Sequence, residues 1–187
     1  MIRASQHLVE LLNVELKSDR GEPVLKGLSL KLEAGESVII AGASGSGKSS
    51  LLDLVLGRRF ALSGSVEVFG KLLRPRKRGL IRKIRRRIGG VGGPFALIPS
   101  MTVADNVLLP LVISGERSAM QKERLFRTLS ELSLLSHAGD YPSRLTRVQS
   151  TLAQVARSTI ANQPLVLIDE PAAGLDRATS GKVFQYL

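Results

Sequence analysis

Eight consecutive residues, Gly42-Ala43-Ser44-Gly45-Ser46-Gly47-Lys48-Ser49, place three glycines, a lysine and a hydroxyl at the spacing GxxxxGK[ST]. The glycines let the chain wrap so that successive backbone N–H groups point inward at a phosphate. A helix starting at Lys48 adds its positive end to the same spot. Lys48 then reaches the outer phosphates, and Ser49 offers its hydroxyl to Mg²⁺, with Ser50 following in the first turn. Much further on, Leu165-Val166-Leu167-Ile168 ends in Asp169-Glu170. A carboxylate at the C-terminal end of a strand faces the crevice where ligands sit in open α/β sheets, placed to hold Mg²⁺ through water. The second carboxylate is positioned to orient or deprotonate an attacking water.

These groups need elements to hold them. Leu28, Leu30 and Leu32 alternate with Ser29, Lys31 and Glu33, the period of a half-buried strand, and Val66 and Val68 alternate likewise between Ser65 and Phe69. Ser37-Val38-Ile39-Ile40-Ala41 predicts a buried strand leading into the glycine loop, and Lys48 to Leu56 a helix that Gly57 stops. Ile81, Ile84 and Ile88 recur at helical spacing among arginines, an amphipathic helix with a buried stripe. Two capping boxes are expected, Ser118 with Gln121 ahead of Leu125, Leu129 and Leu132, and Thr146 with Gln149 ahead of Leu152, Val155 and Ala156. Strands alternating with helices around a helical middle predict an α/β domain on a mostly parallel sheet.

Composition narrows the chemistry. The chain has 187 residues, 43% hydrophobic and 23% charged, which excludes a disordered or collagen-like polymer. With no cysteine, disulfides, thiolate metal sites and cysteine nucleophiles are excluded, and His7 and His137 are too few for a histidine cage. No apolar run reaches bilayer length, and the first seven residues carry no signal-peptide core. The formal charge is +11, yet ten bases and no acid lie between Lys71 and Arg87, leaving 17 bases against 16 acids elsewhere. So local a charge argues against nucleic acid as the partner of a whole face. It fits a solvated surface or contact with an anionic membrane.

With these motifs on view, the chain resembles the ATP-binding subunits of ABC (ATP-binding cassette) transporters over nearly its whole length. In that resemblance Gly42 to Ser49 is Walker A, Leu165 to Asp169 is Walker B, Glu170 is the catalytic glutamate, and Pro171-Ala172-Ala173-Gly174-Leu175-Asp176 is the D-loop. Leu97-Ile98-Pro99-Ser100-Met101-Thr102-Val103-Ala104-Asp105-Asn106-Val107 is similar to the macrolide-exporter, lipoprotein-releasing and cell-division branch. The resemblance implies a P-loop fold with N-terminal antiparallel strands and a helical subdomain near 98–148, as one domain over 1–187 lacking its C-terminal part. It implies ATP and Mg²⁺ as cofactors, the nucleotide held by Gly42, Ala43, Ser44, Gly45, Ser46, Gly47, Lys48, Ser49 and Ser50. Ser49 and Asp169 hold the metal, and Lys48 and Glu170 are catalytic. The implied partners are a second ATPase subunit and membrane permease subunits, at the inner face of the cell membrane.

The departures from the pattern are specific. The signature sequence, LSGGQ in the family, falls at Leu145-Thr146-Arg147-Val148-Gln149: Thr146 and Gln149 remain, and both glycines are gone. The signature serves the partner's nucleotide, so Thr146, Arg147 and Gln149 are the residues expected to face it. Gly93 stands at the glutamine-loop position, and Ser18 near the place of the ring that stacks on adenine. Neither His7 nor His137 can act as the switch histidine, and Thr179 to Leu187 reads as an unfinished helix, hence a fragment or a shortened subunit. The expectation is an ABC-type ATPase that binds MgATP and completes the opposite site poorly. The alternative is a weakly hydrolysing scaffold or regulatory subunit. An unrelated P-loop kinase is disfavoured by the D-loop.

Overall fold

The structure is a computed structural model that describes residues 7–18, 20–170 and 181. Its contacts divide into two units, Met1–Arg85 and Arg86–Leu187. In the first, strands β1 (Val9–Lys17), β2 (Pro23–Leu32), β3 (Ser63–Val68) and β4 (Lys71–Leu72) form an antiparallel sheet in the order β2-β1-β3-β4. Register follows the apolar alternation: Val9 pairs with Leu32 on one side and Val68 on the other, and Val9, Leu11, Val66 and Val68 are buried together. Helix α1 (Lys48–Val55) adds Leu51, Leu54 and Val55 to the core.

Helix α2 (Arg78–Arg85) buries Ile81 and Ile84 as their spacing requires. It stops before Ile88, which instead opens β5 (Ile88–Gly92); the expected third position of the stripe is a strand residue. The Arg85 guanidinium donates to the Leu56 and Gly57 carbonyls at 2.6 and 2.9 Å, satisfying the C-terminal end of α1. The expected strand over 37–41 is a different outcome. No described strand pairs with it, and Val38, Ile39 and Ile40 are exposed, Ile39 by 93%. An apolar run takes a ladder only where a neighbour offers its edge, and none of the described strands does.

In the second unit β5 pairs in parallel with β6 (Leu165–Asp169), Ile88 opposite Leu165 and Gly92 opposite Asp169. Helices α3 (Val103–Ser114), α4 (Ser118–Glu131) and α5 (Arg147–Thr159) pack their apolar faces through Val103, Val107, Leu111, Leu129, Ala153 and Val155. Glycine-rich β5 is a poor strand by propensity, but close packing demands it. A Cβ on Gly89 would overlap the Ser158 carbonyl of α5, and one on Gly90 the Phe95 ring. The capping box expected at Ser118 is absent: Ser118 lies inside α4, behind an Arg117 N-cap, so its hydroxyl cannot cap, and Gln121 donates to the Glu116 carbonyl at 2.6 Å. The box instead occurs at Thr102 with Asp105, ahead of α3. No described helix is long and apolar enough to cross a membrane.

Candidate functional site

The glycine loop runs into α1 through Gly47, whose φ of 95° is left-handed. Helix α1 begins with no side-chain cap and no acid in its first turn, so its positive end faces the glycine loop. The Lys48 ammonium folds back into the loop, donating to the Gly42 and Ala43 carbonyls at 2.8 Å each. A Cβ on Gly42 would stand 2.6 Å from Ser46 Oγ, so a side chain there would have to turn the Ser46 hydroxyl aside. The loop is exposed and Lys48 half-buried. Cation, helix start and a glycine cradle are thus gathered as an anion site needs.

In the second unit, Asp169 ends β6 and the exposed Glu170 follows with a φ of 52°. Gly92, at φ 77°, turns the neighbouring strand so that Gly93 lies against Asp169: a Cβ there would meet the Asp169 carboxylate. Each unit carries a hard oxygen donor of the kind Mg²⁺ takes, the Ser49 hydroxyl in the first and the Asp169 carboxylate in the second. Among the described residues no group of three or more His, Asp or Glu could cage a metal alone.

Two positioning groups escaped the sequence reading. Gln154 of α5 accepts from the Gly92 N–H at 2.7 Å, fixing the end of β5 opposite Asp169. Arg157 donates to the carbonyls of Phe95 and Ala96, the latter at 3.1 Å, and to Asn106 Oδ1 at 3.3 Å. Asn106 is fully buried and bonds Ile98 N–H at 2.7 Å and three carbonyls between Ile98 and Thr102. The pair clasps the loop after β5, and burial lowers the Arg157 pKa. The available signal was a polar residue at a helical position otherwise reserved for the apolar face.

At the start of α5 the expected box is present: Thr146 Oγ1 accepts from Gln149 N–H at 3.3 Å, and Gln149 Oε1 accepts from Thr146 N–H at 2.8 Å. Because a backbone N–H only donates, the amide oxygen must face it, and the amide nitrogen faces His137 Nε2 at 2.8 Å. That ring nitrogen therefore accepts, which puts the proton on Nδ1, 2.8 Å from Asp140 Oδ2. Arg147 is exposed and Val148 half-buried in the first turn. The D-loop residues Pro171 to Asp176 and the segment Thr179 to Leu187, Gly181 excepted, lie outside the described residues. Lys48 and Ser49 belong to the first unit, Asp169, Glu170, Thr146 and Gln149 to the second.

Residues 25–173 match the ABC transporter family. The chain belongs to that family. It is 31% identical to the cell division ATP-binding protein FtsE of Bacillus subtilis over 180 residues, covering 96% of this chain and 79% of that protein. It is 36% identical to the lipoprotein-releasing system ATP-binding protein LolD of Xanthomonas axonopodis pv. citri, over 88% of this chain and 68% of LolD. The methionine import ATP-binding protein MetN of Caulobacter vibrioides is 35% identical over 89% of this chain, which spans half of MetN's length. Among solved structures, the dimeric post-hydrolysis state of the cassette MJ0796, bound to ADP and Pi, superposes with a TM-score of 0.86 at 32% identity, over 95% of this chain and 80% of that one. The cassette is therefore an ABC-type ATPase domain with the P-loop fold, in the cell-division, LolD and MacB branch.

Proposed function

We propose that this ABC cassette binds MgATP and couples its hydrolysis to work by a membrane partner. Lys48 and the Gly42–Ser50 amides hold the phosphates, Ser49 and Asp169 hold Mg²⁺, and Glu170 orients the attacking water and takes its proton. The ion, when bound, neutralises charge developing on the phosphate oxygens. The observation that carries the reading is the uncapped start of α1 with the Lys48 ammonium drawn into the glycine loop. Equilibrium dialysis tests it: magnesium-dependent ATP uptake that Lys48→Ala abolishes is expected, and uptake indifferent to Lys48 overturns it.

Thr146, Arg147 and Gln149 face the nucleotide of a second cassette, and Asp176 is the D-loop aspartate of the family pattern. Without signature glycines, Arg147 and Val148 keep backbone amides from the partner's phosphate, so a pair of identical copies turns over slowly and a partner with an intact signature restores activity. A weakly hydrolysing scaffold is the second reading, favoured by Gly93, where Asp169 leaves no room for the glutamine of the family. Phosphate release by wild type against Glu170→Gln, each with a partner cassette, separates the two. The subunit works at the inner face of the cell membrane beside permease subunits, with the basic run 71–87 on the anionic surface. Neutralising Arg74, Arg76 and Arg78 should weaken binding to anionic vesicles at low salt, each base counting for about 1 kcal/mol.

A further inference from the structure

The capping box that starts α5 is held from outside the helix. A tight turn at Leu135–His137 carries the ring: the His137 N–H donates to the Leu134 carbonyl at 2.9 Å, and the Asp140 N–H to the His137 carbonyl at 3.0 Å. The half-buried imidazole donates from Nδ1 to Asp140 Oδ2 at 2.8 Å and accepts at Nε2 from the Gln149 amide at 2.8 Å. The Gln149 oxygen is used twice on its other side, by the Thr146 N–H at 2.8 Å and the Thr146 hydroxyl at 3.0 Å. Each group in this chain therefore has one orientation open to it.

A second proton on the ring undoes that order. Histidine ordinarily changes its charge between pH 5 and 8, and the charged ring donates from both nitrogens. Its Nε2–H would then point at an amide NH₂, which is also a donor. Asp140 keeps its bond to Nδ1–H in both forms, so the mismatch falls on Gln149. If the amide turns end for end, its oxygen serves the ring and its NH₂ confronts the Thr146 N–H, which loses its acceptor. The neighbouring charges are otherwise engaged. Arg144 lies 3.9 Å from the other Asp140 oxygen, and Arg127 and Glu131 of α4 pair with each other at 3.8 Å. Helix α3 meets the turn through the Val103 and Ala104 N–H groups, on the Asp140 and Ala138 carbonyls, and its Asp105 is bonded to Thr102. Arg147 of α5 is exposed.

We propose that His137 is a positioning residue whose protonation sets the Gln149 amide, so that mild acid opens the box at the start of α5. The neutral ring closes the box at higher pH, and the closure is lost as pH falls. Where Thr146 and Gln149 face the nucleotide of a second cassette, acid weakens what this chain offers the opposite site; that consequence rests on the reading above.

Proton–nitrogen spectra of the whole chain between about pH 8 and about pH 5 test the device. As the ring titrates, the Thr146 amide proton should move upfield. Its protection against exchange should fall about 2- to 30-fold, the range expected for loss of one capping bond. Gln149→Glu discriminates, because a carboxylate accepts from the Thr146 N–H and from a charged ring together, so acid should tighten the same signals. His137→Gln, whose carbonyl accepts from the Gln149 amide at every pH, should abolish the titration. A wild-type Thr146 signal indifferent to pH, or a Gln149→Glu variant that loosens in acid as wild type does, overturns the proposal. Phosphate release with a partner cassette reads the consequence: the rate of His137→Gln relative to wild type should rise as pH falls. A flat ratio beside a titrating Thr146 signal overturns the link to the second cassette and the reading of Thr146 and Gln149 as facing its nucleotide, while the proton-set amide stands.

Discussion

Replacing Gln154 by methionine keeps the length and most of the volume of the side chain and deletes one acceptor. In the structure that acceptor holds a single donor, the Gly92 N–H, at 2.7 Å. A neutral hydrogen bond contributes about 1 kcal/mol net, and a donor left dry costs about 1–3 kcal/mol. Gly92 is half-buried, so water can partly replace the lost partner and the expected cost is about 1–2 kcal/mol. At about 2–4 °C per kcal/mol for a chain of this size, the melting temperature should fall by roughly 2–8 °C. A second consequence follows from position: Gly92 is the ladder partner of Asp169, and Gly93 lies under the Asp169 carboxylate. Loosening the turn should therefore raise the magnesium concentration needed for half-maximal ATP binding several-fold, with little change in magnesium-free nucleotide binding. Gln154→Glu, which keeps an oxygen facing Gly92, should recover most of the stability. Thermal melts and magnesium titrations of ATP binding read both effects. A methionine variant that melts with wild type and titrates with it would refute the assignment of Gln154 as the residue that sets the end of β5.

Arg157→Met should destabilise by about 2 kcal/mol, since three bonds from one cation are lost while its desolvation is relieved, and Arg157→Lys should recover less than half because one ammonium cannot span Asn106 and two carbonyls; urea denaturation measures both. His137→Ala should cost about 1 kcal/mol through the weakened box at α5, and ¹⁵N spectra of the wild-type ring should show the proton on Nδ1. Gly93→Gln, which restores the family residue, should lower both stability and magnesium-dependent binding, because its Cβ meets the Asp169 carboxylate; a gain in either would contradict the geometry.

What the sequence made legible was whatever rests on local chemistry. The glycine loop, the box at Thr146, the stop at Gly57 and the apolar strand before Asp169 each follow from residues a few positions apart. Strand β5 was illegible because its glycines are explained by Ser158 and Phe95, one of them nearly seventy positions away, and not by propensity. Helix α2 ended one turn early for a related reason. Ile88 fits the helical period, but its partner in the β ladder, Leu165, is a distant residue that no window contains. At Ser118 a capping signature was satisfied in letters only, since the helix begins one residue too soon for the hydroxyl to reach.

The departures from the family pattern differ from simple erosion in one respect. Random loss of a side chain leaves groups unpaired around it. The two buried side-chain atoms without a hydrogen-bond partner among the described residues are His7 Nδ1 and Gln163 Oε1, and neither lies at a departure. At Gly93 the space is taken by Asp169, with Gln154 pinning the adjoining turn. Near Ser18 the hydroxyl closes its own turn, and an arginine and a phenylalanine line the cleft beside it. At the altered signature, His137 and Asp140 hold the Gln149 amide that the box requires. The residues at 93 and 18 thus sit in satisfied local arrangements, and a glutamine placed at 93 alone meets the Asp169 carboxylate instead of restoring the family geometry. Gly93→Gln alone should therefore fail to raise turnover, measured as phosphate release with a partner cassette, and brisk turnover by that single variant would show that the Asp169 carboxylate yields the space.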